Sequence, residues 1–338
     1  MFFANLYTMN GKDIQQSLFR QIKERLPAHL SLSEDLAALL GVSNDSAYRR
    51  IRGEKVLDIN EFETICRHYK VSADSLFQQN TDGYVFRGRF ANDETFDFKA
   101  WMASILGNLD LAMSGAVPEF IFQAKDLPIF HHFQLPELAM FKYFFWRKTI
   151  MQEKGYERRL FSHKDRDEQL VALGKKVYLA YNRIPSIEIW NAECINSTLN
   201  QIGFYRESGV FESEEDAQVL YDQLLLQLQH IEHEVEAGCK FSVGDTPVPG
   251  MAAYKVFVNE VMMGDNAIYV NNGLQRLVYL NHSGINYIAT TDDNFCDNTL
   301  LTFNNIMKKS MLISGVGEKE RNRFFKSLRD EIDLRRKS

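Results

Sequence analysis

The chain has 338 residues, 45% of them hydrophobic and 25% charged, which excludes a disordered or collagen-like polymer and is long enough for two or three domains. It contains no run of about 18 apolar residues, which excludes a helical membrane span. Its formal net charge of −6 is uneven: ten basic and ten acidic residues cancel within 1–80, so the whole deficit lies in 81–338, and any affinity for a polyanion must come from local clustering.

The opening MFFANLYTMN lacks the basic flank and small-residue cleavage site of a secretory leader, so a cytoplasmic protein is expected. Ile14, Leu18, Ile22 and Leu26 recur at i+4 and predict an amphipathic helix over 11–26, ended by Pro27. SLSEDLAALLG follows, with Ser31 or Ser33 as the cap and Gly41 as the stop. Residues 44–52 predict a further helix closed by Gly53. Asp58 and Glu61 stand at capping-box spacing before a helix with the stripe Ile59, Phe62, Ile65, Cys66 and Tyr69. Ser72 caps a last short helix over 71–77.

Beyond Gly83 the texture turns aromatic. Helices are expected over 97–113, 136–150, 165–183, 186–207 and 213–237, with a strand at 119–123. Residues 251–291 carry four β-rich runs joined by GDN, NGLQ and SG, the pattern of a four-stranded antiparallel meander. Helices over 294–313 and 318–336 close the chain. The predicted architecture is an all-α head, 1–80, followed by a larger α+β domain, 81–338, which divides further into a mainly helical 81–245 and an α+β 246–338. A meander flanked by helices has the outline of PAS- or GAF-like sensor modules, an analogy of architecture alone.

The most informative segment is LAALLGVSNDSAYRRIRGEK. Two helices crossing steeply need a small residue where their backbones meet, here Ala37, and a conformation inexpensive for glycine between them, here Gly41. Leu36, Leu40, Val42, Ala47 and Ile51 then form a shared core, leaving Asn44, Asp45, Tyr48 and Arg49 facing outward.

Ser33 to Arg52, extended by LDINEFETICRHYKVSADSLF, resembles the helix-turn-helix of the Cro/C1 (XRE) repressor family over about residues 10–78. Ala47 departs from the larger aliphatic residue often found there. The resemblance implies a λ-repressor-like head with Ser43 to Arg52 as the recognition helix, its N-terminal end deepest in the major groove. Asn44 then suits adenine, Arg49 guanine and Asp45 cytosine, while Tyr48 meets a thymine methyl or a phosphate; each good bidentate pair discriminates by about 1–3 kcal/mol. Arg50, Arg52 and Lys55 are expected as phosphate clamps. One such module buries only about 600–1,000 Å² on DNA, so a homodimer on two half-sites is expected, with 81–338 supplying dimerisation and a sensor for an unknown small-molecule or protein effector.

Other features point elsewhere more weakly. Cys66, Cys194, Cys239 and Cys296 are scattered singly, as buried free thiols rather than a zinc or disulfide framework. His230, His233 and Glu234 have helical spacing but read as the polar face of a long helix, and the adjacent His131 and His132 point apart. FKYFFWRK, 141–148, reads as a helix buried on several sides. No phosphate loop or nucleophile elbow occurs, so neither an enzyme nor a cofactor is expected. The expectation is a transcription regulator binding double-stranded DNA, with no membrane partner. The alternative is a protein-interaction scaffold that docks partners through its helical middle and keeps the helix-turn-helix without DNA readout.

Overall fold

The computed structural model describes residues 11–26, 30–71, 73, 76, 83–88, 96–115, 118–261 and 264–337. The chain divides into two compact units, Met1–Val85 and Phe86–Ser338.

In the first unit α1 (Gly11–Arg25), α2 (Leu32–Leu40), α3 (Asn44–Ile51) and α4 (Ile59–His68) share one core. Leu18 and Ile22 of α1, Leu36 of α2, Ala47 of α3 and Ile65 of α4 are buried in it. Ser31 caps α2 by its backbone conformation, its hydroxyl meeting that of Ser33 rather than a helix amide, and Gly41 ends the helix at φ 64°. That left-handed residue lets Val42 N–H return to the Ala37 carbonyl at 3.0 Å, which makes the tight turn into α3. The capping box of α4 is formed, with Asp58 Oδ1 accepting from the Asn60 and Glu61 amides at 2.9 and 2.8 Å. Ile59, expected in the apolar stripe, is instead 77% exposed, because the first turn of α4 projects beyond the core. Ser72 and most of the short helix expected over 71–77 lie outside the described residues, as do residues 1–10 and Pro27.

The second unit is built on one mixed sheet of eight strands in the order β1-β7-β6-β5-β2-β3-β4-β8. The strands are β1 (Arg87–Gly88), β2 (Glu119–Gln123), β3 (Ser186–Trp190), β4 (Tyr254–Val258), β5 (Ala267–Asn271), β6 (Arg276–Ser283), β7 (Asn286–Thr290) and β8 (Met311–Leu312). This corrects the four-stranded meander. Only β5, β6 and β7 form consecutive antiparallel pairs, while β4 lies parallel to β3, which lies parallel to β2. The reason is topological: parallel neighbours need long crossovers, and the helical middle supplies them. The run of strands in 251–291 therefore splits, with β4 reaching a partner far back in sequence. The sheet also interleaves strands from both sides of residue 245, so the expected subdivision there does not correspond to separate layers.

Helices α5 (Phe98–Ala112), α6 (Ile129–His132), α7 (Pro136–Phe145), α8 (Glu168–Asn182), α9 (Asn196–Glu207), α10 (Glu214–Ala237), α11 (Asp293–Lys308) and α12 (Glu318–Lys337) complete this unit. A single helix over 186–207 was expected. Ser186–Trp190 instead forms β3, because the alternation of Ile187 with Glu188 and Ile189 with Trp190 serves both faces of a central strand. One face of the sheet packs Ile121, Ile189, Tyr269 and Val278 against Cys296, Phe303 and Ile306 of α11. The other carries Phe120, Phe122, Trp190, Tyr254 and Val256 into the main core with the remaining helices. Phe141, Tyr143, Phe144, Phe145 and Trp146 are all buried there, α7 running on into a π-helical turn at Trp146–Ile150.

Several buried polar groups in this core are closely paired. Glu188, fully buried, accepts from Trp190 Nε1 at 2.8 Å, Tyr254 Oη at 3.0 Å and Tyr181 Oη, and faces His131 Nε2 at 3.2 Å. His230 and Glu234, expected on a solvated face, are buried, with His230 Nε2 at 2.9 Å from the Phe241 carbonyl and Glu234 Oε1 accepting from the Phe241 amide at 2.9 Å. Among the described residues no group of His, Cys, Asp and Glu is placed to hold a metal ion, and no helix is long and apolar enough to cross a membrane.

Candidate nucleic-acid interface

The surface of interest is α3 with the loop that follows it. Ser43 caps α3, its hydroxyl accepting from the Ser46 amide at 3.3 Å, so this side chain shapes the helix start as well as standing exposed at it. Ala47 is fully buried and Ile51 packs against the same core, which fixes the rotation of α3 about its axis. Asn44, Asp45, Tyr48 and Arg49 are consequently exposed together, at i, i+1, i+4 and i+5. Among the described residues none of these four side chains has a hydrogen-bond partner, although the Arg52 guanidinium lies 5.8 Å above the Tyr48 ring.

Arg50 does not belong with them. It was expected as a phosphate clamp but is only 3% exposed. Its Nε and Nη2 bind Glu61 Oε2 and Oε1 at 3.0 and 2.5 Å, and Nη1 donates to the Ser46 hydroxyl at 2.6 Å and the Ser46 carbonyl at 3.1 Å. The paired hydrogen bonds raise the guanidinium pKa and hold the Glu61 carboxyl below its usual range. Every nitrogen of its fork makes a hydrogen bond inside the unit, so Arg50 braces α3 against α4 instead of facing outward as a phosphate clamp. The opposite orientations of Arg49 and Arg50 follow from the 100° step between neighbouring helix positions.

Arg52 and Lys55 remain exposed in the loop, where Arg52 makes a solvent-facing ion pair with Glu54 at 3.2 Å. Such a pair contributes little to stability and leaves the arginine free to exchange partners. The loop is held from beneath by Gln15 of α1, a buried amide that apolar periodicity passes over. Gln15 Nε2 donates to the carbonyls of Arg50 and Lys55 at 2.7 and 2.8 Å, and Oε1 accepts from the Leu57 amide at 3.1 Å. The only signal for it in the sequence is a polar residue beside the inward stripe of α1. Tyr69 ties the end of α4 to α2, its hydroxyl donating to Asp35 at 2.6 Å and its pKa raised first by burial and then by that carboxylate. Val56 is 79% exposed beside Lys55, an apolar group at this surface that the sequence did not single out.

The arrangement therefore presents amide, carboxylate, phenol and guanidinium groups from one helix face, followed by two cations on a braced loop. It can hydrogen-bond to base edges and neutralise flanking phosphates, with the charges of Asp45, Glu54 and Asp58 limiting nonspecific attraction. No curated protein sequence and no solved structure matches the chain. Residues 20–95, which include α2, α3, α4 and β1, match the family model of the BetR domain, a domain associated with helix-turn-helix DNA-binding regulators.

Proposed function

We propose that this chain is a cytoplasmic, sequence-specific transcription regulator of the Cro/C1 (XRE) type that binds double-stranded DNA as a homodimer. The observation that carries the reading is the face of α3 on which Asn44, Asp45, Tyr48 and Arg49 stand exposed and unpartnered while Arg50, Gln15 and Ala47 fix the helix beneath them. Free donors and acceptors on a rigid helix are what direct readout in a major groove requires, since a helix already fixed in place costs no backbone ordering on binding. The BetR match over the same residues supports it. Arg49 and Asn44 read bases, Arg52 and Lys55 set the register on phosphates, and the Phe86–Ser338 unit supplies dimerisation and effector sensing. The reading assigns the chain no catalytic activity.

The test is selection of random duplex DNA by the full chain, followed by sequencing. The expected result is a two-fold symmetric motif with half-sites about 10 bp apart, one helical turn. Recovery of unenriched sequence at moderate salt overturns the proposal and favours the protein-interaction scaffold.

A further inference from the structure

A cavity of about 270 Å³ lies within the second unit between α5 and the sheet. Its sheet wall is one row of cross-strand neighbours: Arg87 opposite Ala289, Ala289 opposite Tyr279, Tyr279 opposite Ile268 and Ile268 opposite Phe122. Residues in register point to the same side of a sheet, so all five face α5. The helix wall is Trp101, Ser104, Ile105, Asn108, Leu109 and Ala112, one stripe at helical spacing. Phe122, Leu109 and Ala112 are buried, whereas Arg87, Ser104 and Asn108 are exposed. The cavity thus has an apolar, aromatic floor and a polar rim.

Among the described residues Arg87 is the only cation in the lining, and it has no ion-pair partner there. Arg276, on β6 of the same sheet, is by contrast held by both Asp293 and Asp297. An unpaired guanidinium at the rim of an apolar cavity is complementary to a molecule with a hydrophobic body and one planar anion, and a carboxylate matches the guanidinium fork through two parallel hydrogen bonds. Among the described lining residues a dianionic phosphate finds no second cation. An engineered cavity of about 150 Å³ accommodates one benzene, so this one suits roughly ten to twelve non-hydrogen atoms.

We propose that this cavity is the binding site of a small apolar carboxylic acid, its hydrocarbon body between α5 and the sheet and its carboxylate on Arg87. The ligand also bears on the first unit through the chain itself. Arg87 lies in β1, an edge strand of two residues that begins immediately after the division at Val85. Two residue pairs with β7 seat that strand weakly, and a ligand bridging Arg87 to α5 secures it. This regulatory consequence rests on the proposed DNA-binding function; occupancy of the cavity does not.

The experiment is calorimetric titration of the full-length chain, without DNA, using cinnamate, octanoate and the primary amide of each. At least one acid is expected to bind with a Kd below about 1 mM and about tenfold or more tighter than its amide. Arg87→Gln, an exposed change, should abolish that preference while leaving the melting temperature unaltered. Ala112→Phe, filling the floor, should remove binding of acid and amide alike. Absence of binding by both acids, equal binding of acid and amide, or a preference that survives Arg87→Gln overturns the assignment. DNA selection with the same preparation is scored separately, so failure of the cavity and failure of the DNA-binding reading are distinguishable.

Discussion

The Arg50 guanidinium embraces the Glu61 carboxylate with two hydrogen bonds, at 3.0 and 2.5 Å, across the junction of α3 and α4. Removing one partner of a buried pair leaves the other uncompensated, although Glu61 keeps 19% side-chain exposure and is partly hydrated. Arg50→Ala is expected to lower the stability of the first unit by about 2–4 kcal/mol in chemical denaturation, whereas Arg52→Ala should change it by less than about 0.5 kcal/mol. A phosphate clamp at Arg50 predicts the reverse, a stable protein with weakened DNA binding.

The same pair makes stability depend on acid. Glu61 has its pKa lowered from 4.5, chiefly by the hydrogen bonds from Arg50. A depressed carboxylate contributes stability that is present above its unfolded pKa and is lost as pH falls through the folded one. The advantage of wild type over Glu61→Gln should therefore be constant from neutrality down to about pH 5 and shrink below pH 4.5. Thermal melts at stepped pH measure it, and a difference between the two proteins that does not change below pH 4.5 removes the pair from the account.

On DNA, Arg49 and Lys55 should separate cleanly. Arg49→Ala is expected to cost about 1–3 kcal/mol on the selected site and little on random duplex, the signature of a base contact. Lys55→Ala should weaken both alike and make the slope of log K against log salt less steep by about 1 per protomer. Titrations at three salt concentrations decide between them, and equal losses on both DNAs from Arg49→Ala dismiss direct readout by that residue.

How far the sequence foretold this differs by level. The helix-turn-helix was readable because Leu36, Gly41 and Ala47 each obey a local rule: a buried apolar position, a left-handed turn and a close helix contact. Arg50 was misassigned because charge alone does not reveal which way a helix position points when its partner, Glu61, lies on another helix. Ser186–Trp190 illustrates the same limit in the sheet. Its residues suit a strand, yet which strands it joins is fixed by crossovers of tens of residues, which no local pattern encodes. The cavity was invisible for the same reason, since Arg87 and Phe122 share a face only through the registers of the three strands between them.

Gln15 supports the loop after α3, and its removal should be felt there. Gln15→Leu conserves bulk but strips partners from the Lys55 carbonyl and the Leu57 amide, at about 1–3 kcal/mol for each group left unsatisfied. The expected outcome is at least tenfold faster hydrogen exchange at Leu57, with exchange at Ile65 in the α4 core changed less. Weakened DNA affinity without a change in base preference should accompany it, because Lys55 loses its fixed position while Arg49 does not. Unaltered exchange at Leu57 excludes Gln15 as the support.

Lys142 provides a test of the second unit. Its ammonium is buried in α7, donating to Thr198 Oγ1 at 2.7 Å and Gln201 Oε1 at 2.8 Å with no carboxylate in contact, and burial lowers its pKa from 10.5 to about 7. The neighbouring His132 is pushed well below its ordinary pKa, by burial first and by repulsion from Lys142 second, so it adds no second positive charge beside the first. Because the folded pKa lies below the unfolded one, the destabilisation is fully present below pH 7, declines between pH 7 and 10.5, and vanishes above. Lys142→Met keeps the bulk and discards the charge, so it should stabilise the protein by about 1–3 kcal/mol at pH 6, with the gain falling steadily as pH rises toward 10. Paired denaturation curves at pH 6, 8 and 9.5 measure the difference. A gain independent of pH means that the lysine reaches water and keeps its ordinary pKa in the folded protein, and contradicts the burial of its charge.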